Sequence, residues 1–191
     1  FMVTEDFLAE AGAALEARLT GSPDSLDLRL ELSRVSAKIG DRTRAEKLIT
    51  ESRTLTDTPA RYRVWLETAL EAHELFGEAA TFFDQEQHRL LTEGSIEGDN
   101  QWSADRIEKF LTFCELGEEK QLEDRVTQAL RNQLADASLP GELRLRLRRL
   151  LVKALERTPE RAGETEQQLQ KLAREDPGRA SEYDLRRALL Y

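Results

Sequence analysis

Apolar positions along the chain recur with the spacing of an α-helix. Leu28, Leu32, Val35 and Ile39 stand at i, i+4, i+7 and i+11, which is one helical stripe. Gly40-Asp41 then interrupts the pattern: glycine accepts the left-handed conformation that ends a helix, and aspartate caps the next one. A second helix follows through Ala45, Leu48 and Ile49 to about Ser52, and Pro23 and Pro59 punctuate the ends of the unit. Ala11, Ala45 and Ala79 are spaced 34 residues apart, each followed four residues later by a large apolar residue (Leu15, Ile49, Phe83). A small residue lets two helices approach, and the large one fills the space between them.

Beyond Ala79 the helix pairs persist but the period loosens. Ile107, Phe110, Leu111 and Cys114 form one stripe, Leu116-Gly117-Glu118 turns the chain, and Leu122, Val126, Ala129 and Leu130 form the next. Leu122 stands five residues after Gly117, as Ala45 does after Gly40, yet lies 43 residues after Ala79. The polar segment 93–101 accounts for the excess as an inserted loop. Leu143 to Arg148 alternates like a strand, but Leu143, Leu147, Leu150, Leu151 and Ala154 continue as a helical stripe, so a helix is expected. A partner helix follows at about 162–175, through Leu169, Leu172 and Ala173, and Asp176-Pro177-Gly178 ends it.

A 34-residue helix–turn–helix unit resembles the tetratricopeptide repeat (TPR). With Leu26 as position 1, Leu32 falls at 7, Gly40 at 15, Asp41 at 16, Ala45 at 20 and Ile49 at 24. Ser36 occupies position 11, where the family usually has tyrosine. With Ala60 as position 1, Leu66 falls at 7, Leu70 at 11, Phe76 at 17, Ala79 at 20 and Phe83 at 24, while Glu74 takes the place of the glycine at 15. The resemblance implies an all-α fold, a right-handed superhelical array of antiparallel helix pairs forming one α-solenoid segment over 1–191. Its parts are the second helix of a partial repeat (4–20), repeats at 26–59 and 60–92, the inserted loop (93–101), a divergent repeat (102–135), a divergent helix pair (141–176) and the first helix of a truncated repeat (178–191). A lone helix of such a unit needs a neighbour to bury its stripe, so further repeats of a parent chain are expected to flank both ends.

Composition narrows the function classes. Hydrophobic residues at 39% and charged residues at 34% describe a chain too apolar for an acidic disordered tail and too charged for a membrane protein. No apolar run approaches the roughly 20 residues that cross a bilayer. A net charge of −9 argues against general binding of nucleic-acid phosphates. The basic stretch from Gly141 to Arg157 reads as a solvated face balancing acidic neighbours. Cys114, the single cysteine, lies on an apolar stripe and reads as core.

Motifs for chemistry are missing. His73-Glu74 opens like a zinc-protease motif, but Gly77 stands where the second histidine belongs. His88 is the only other histidine, too few for a structural zinc site. The glycines at 94 and 98 are not followed by the Gly-Lys-Ser/Thr ending of a phosphate loop. Acidic pairs such as Glu118-Glu119 sit at helix starts, where they favour the helix dipole. No catalytic, cofactor-binding or metal-binding residues are assigned.

What the family resemblance implies instead is a surface. In TPR arrays the first helices line a concave groove, and the matching positions here are Asp27, Leu30, Glu31, Arg34, Ala37 and Lys38, then Arg61, Val64, Trp65, Thr68, Glu71 and Ala72. Arg34, Lys38, Arg61, Trp65, Thr68 and Glu71 are the expected partner contacts, with arginine and tryptophan as typical anchors. For Trp65 packing within the repeat core is the competing reading. Leu30 with Arg34, and Val64 with Thr68, replace the basic residue and asparagine that grip chaperone C-termini in related co-chaperones, so that partner is not expected. The expected function is a non-catalytic scaffold that binds another protein or peptide segment. It would belong to a larger bacterial protein of secretion, exopolysaccharide export or envelope assembly, with periplasm and cytoplasm both compatible. The alternative is the sensing region of a transcription regulator.

Overall fold

A computed structural model describes residues 2–92, 102–117 and 124–190, with side chains from 6–92, 102–117 and 126–190. The expected insertion at 93–101, Glu118-Glu119, Leu122 and Tyr191 lie outside the described residues. The described chain is all-helical, with ten α-helices and no strand among the described residues: α1 (Met2–Gly21), α2 (Leu26–Lys38), α3 (Arg42–Ser52), α4 (Pro59–Leu75), α5 (Ala79–Thr92), α6 (Ala104–Leu116), α7 (Asp124–Leu134), α8 (Gly141–Leu155), α9 (Ala162–Glu175) and α10 (Ala180–Ala188). They fall into two compact units, Phe1–Arg89 and Leu90–Tyr191.

Local chemistry sets the helix starts. Ser25, Asp41, Thr58 and Ser103 each accept a backbone N–H three residues ahead, from Leu28, Arg44, Arg61 and Arg106. These side chains satisfy donors that the first turn of a helix leaves open. Pro59 opens α4, where its missing N–H costs nothing.

Two helix ends in the first unit share one turn. Ile39, Gly40 and Asp41 donate to the carbonyls of Val35, Ala37 and Ser36; Phe76, Gly77 and Glu78 donate to those of Ala72, Glu74 and His73. Gly40 and Gly77 adopt φ of 81° and 71°, the only positive values among the described residues. The glycine turn of this unit therefore comes at Gly77, three residues after the position that Glu74 occupies. Accordingly α4 has 17 residues against 13 in α2, about one extra helical turn. One extra turn returns side chains to nearly the same face. Gly77→Ala is expected to cost about 1 kcal/mol, because an added Cβ disfavours that φ. Gly163→Ala in α9, where φ is not positive, should be neutral or stabilising. Urea unfolding of the two variants checks both.

In the first unit α2 packs against α1, α3 and α4, and α4 also packs against α3. The buried positions of α2 are Leu26, Leu30, Leu32, Ser33, Ser36 and Ala37, whereas Leu28 and Val35 are half-buried and Ile39 is exposed. The stripe read from hydropathy was thus rotated. Packing on three neighbours buries a wide arc, and that arc includes two serines that hydropathy marks as polar. The Ser33 hydroxyl donates to the Leu30 carbonyl at 2.8 Å, which removes the penalty for burying it. The close approach between α1 and α2 is at Gly12, where a Cβ would meet Val35 Cγ1 at 3.5 Å. Ala45 is fully buried, but Ala11 and Ala79 are only half-buried.

In the second unit α8 packs against α6, α7 and α9, and α9 against α10. Leu147, Leu151 and Leu155 are buried along α8, and Val152 joins Leu169, Leu172 and Tyr183 in a core cluster. The alternating Leu-Arg stretch is helical, as its longer period predicts. Arg144 donates to the Ala137 and Leu139 carbonyls, and the next three arginines pair with acids on neighbouring elements. Arg146 bridges to Glu108 and Glu115, Arg148 to Glu175, and Arg149 to Asp176. Arg148 is only 6% exposed and its guanidinium also donates to Gln168. Arg149 and the Tyr183 hydroxyl both donate to Asp176 Oδ2, at 2.6 and 2.8 Å. Arg146, Arg148 and Arg149 of the basic stretch therefore brace this unit, while Lys153 and Arg157 stay exposed. Cys114 is buried beside Leu111, and burial pushes its thiol far above the usual range, so it carries no thiolate.

Candidate functional site

The six expected partner contacts all lie on α2 and α4, but they divide by burial. Lys38 and Arg61 are exposed, Arg34 and Glu71 are half-buried, and Trp65 and Thr68 are buried. Arg34 Nε donates to Glu71 Oε2 at 3.1 Å and Nη1 to Glu31 Oε1, so an ion pair joins α2 to α4. Arg61 pairs with Asp57 one turn earlier. Asp27, Glu31 and Lys38 continue the exposed stripe of α2, and Val64 stands exposed on α4.

Trp65 belongs to the core. It is 2% exposed, and its indole N–H donates to the Ile49 carbonyl at 2.9 Å. Its ring lies 5.6 Å from Tyr62 and 6.0 Å from Phe82, with the Arg53 guanidinium 5.1 Å from its centroid. Thr68 donates its hydroxyl to the Val64 carbonyl, and Leu30, Ala37 and Ala72 are also buried. These five groove positions face neighbouring helices, because α2 and α4 are flanked on more than one side.

A cleft of about 410 Å³ opens beside Trp65, lined by α3, α4, Glu78 and α5. Its charges occur as compensated sets. Glu86, 4% exposed, accepts from the Tyr62 hydroxyl at 2.7 Å, from Arg53 at 3.1 Å and from Arg89 at 2.6 and 2.9 Å. At the other end Arg42 donates Nε to Glu46 at 2.7 Å and Nη2 to Glu78 at 2.5 Å, its guanidinium 5.7 Å from the Phe76 ring centroid. These two hydrogen bonds raise the Arg42 pKa.

His73, in the last turn of α4, stacks on Phe82 with ring centroids 4.4 Å apart and planes at 14°. Burial lowers its pKa, and the Arg42 charge adds to the lowering while Glu46 and Glu78 oppose it. Its Nδ1 is shielded from water without a hydrogen-bond partner. One ligand atom each from Glu46, His73 and Glu78 lie within 4.8 Å of one another, a set that could hold a metal ion.

Sequence reasoning saw His73 only as half of a broken protease motif and passed over both carboxylates. They are remote in sequence and meet only through the packing of α3, α4 and the turn before α5. One signal was available: Gly77-Glu78 repeats Gly40-Asp41, which places Glu78 at the start of a helix facing the preceding pair. No protein-family model, no curated protein and no solved structure matches the chain.

Proposed function

We propose that this chain is a non-catalytic scaffold that binds another protein or peptide segment through the solvent-facing side of α2 and α4, within a TPR-like array of antiparallel helix pairs. The observation that supports it most directly is the packing of α4 on both α3 and α2, with Arg34–Glu71 joining the first helices of successive pairs. α2 and α4 each pack on more than one neighbour and still present a polar stripe outward, and in stacked pairs such stripes generate an extended surface. The burial of Trp65 and Thr68 moves the expected contacts to Lys38 and Arg61, with Glu31, Arg34 and Val64 beside them.

The test is a double charge reversal, Lys38→Glu with Arg61→Glu. Both positions are exposed, and surface ion pairs such as Arg61–Asp57 contribute roughly 0–1 kcal/mol, so the melting temperature should hardly change. Immobilised wild-type chain and the variant are used as baits, with quantitative mass spectrometry of what each retains. A defined set of proteins held by the wild type and lost from the variant supports the scaffold. Identical retention by both, or none above blank resin, sinks it.

A further inference from the structure

We propose that Glu46, His73 and Glu78 form a binding site for a divalent transition-metal ion, gated by Arg42. The three residues come from three places that the fold alone unites: the second turn of α3, the last turn of α4 and the turn before α5. One imidazole nitrogen and two carboxylate oxygens make a mixed nitrogen–oxygen donor set. Calcium and magnesium take oxygen ligands, whereas imidazole with carboxylate suits zinc and its first-row neighbours. Three protein ligands leave a coordination position for water or for a ligand in the cleft, the pattern of an open metal site.

The geometry is close to what coordination needs. Bonds of roughly 2.0–2.2 Å to zinc place tetrahedral ligand atoms about 3.3 Å from one another. A spread within 4.8 Å is closed by shifts of about 1 Å, which rotations of two glutamate side chains supply. The imidazole itself is held by its stack on Phe82. Its Nδ1 is shielded from water and makes no hydrogen bond, and buried polar atoms are rarely left so.

Arg42 explains how two carboxylates stay together without a metal. Its guanidinium takes one oxygen from each, Oε1 of Glu46 and Oε2 of Glu78, and leaves each carboxylate its second oxygen. A single cation thus offsets the repulsion between the glutamates. The Arg42 side chain is about half exposed, so it can swing to solvent when an ion takes its place. Metal entry exchanges one cation for another at the same carboxylates, and Arg42 competes with the ion for them.

The experiment uses the full chain, free of any histidine tag, titrated with zinc chloride by calorimetry. Cobalt(II) absorption reports on the nature of the ligands. The wild type is expected to take up one zinc ion per chain. His73→Gln should weaken binding by roughly 100-fold, and His88→Gln should not alter it. Arg42→Gln should tighten binding by roughly tenfold, because the competing pairs are gone. Circular dichroism on every variant reports folding. No stoichiometric uptake by the wild type, or uptake undiminished in His73→Gln, overturns the site. Should His73→Gln unfold, Arg42→Gln still decides: tighter binding supports the proposal, and unchanged or weaker binding refutes it.

Discussion

Trp65→Ala is expected to destabilise the chain by about 3–5 kcal/mol, the range for truncating a large buried aromatic residue. The side chain is 2% exposed and touches Tyr62, Phe82 and Arg53 while its N–H satisfies the Ile49 carbonyl. Alanine would open a cavity where α3, α4 and α5 meet and leave that carbonyl without its indole donor. Urea unfolding followed by circular dichroism measures the loss. A stability unchanged within about 0.5 kcal/mol would return Trp65 to the surface and to partner binding. Trp65→Phe keeps most of the packing but not the donor, so it should cost less, and the difference between the two variants separates cavity from hydrogen bond.

Glu86→Ala should cost about 3 kcal/mol, the lower end of what removing one partner of a buried ion pair costs. The carboxylate is 4% exposed and gathers Tyr62, Arg53 and Arg89. Arg53 and Arg89 keep 22% and 28% of their side-chain surface in solvent, which moderates the penalty by letting water approach their charges. The sign is still clear, since two cations would face each other without their shared anion. Combining Glu86→Ala with Tyr62→Phe tests the network: once the carboxylate is gone, the hydroxyl has lost that acceptor. The double variant should then be less destabilised than the sum of the singles. Strict additivity would mean that the Tyr62–Glu86 contact contributes nothing to the folded state.

Much of the fold was legible because it is local. Helix periodicity placed the helices of the first unit, and the Leu-Arg stretch was assigned to a helix by its longer spacing. Asp41 and the glycine at 40 marked ends that depend only on backbone groups within a few residues. The site was less legible. The family positions fall on α2 and α4, but Trp65, Thr68, Leu30, Ala37 and Ala72 turn inward on those helices. The basic stretch of α8 likewise belongs to an ion-pair network whose acidic partners lie on other elements. Neither outcome is encoded in residue type, since arginine and threonine are as compatible with a surface as with a satisfied interior.

The sequence by itself determined that this protein is helical and that a glycine turn separates α2 from α3. Hydrogen bonds between residues a few positions apart carry those choices. Only the tertiary structure decided the rotation of the buried arc of α2, the inward position of Trp65 and the meeting of Glu46, His73 and Glu78. Each depends on which helices flank one another. That is settled by packing between segments remote in the chain, and a periodic pattern of apolar residues names a face without naming its neighbours.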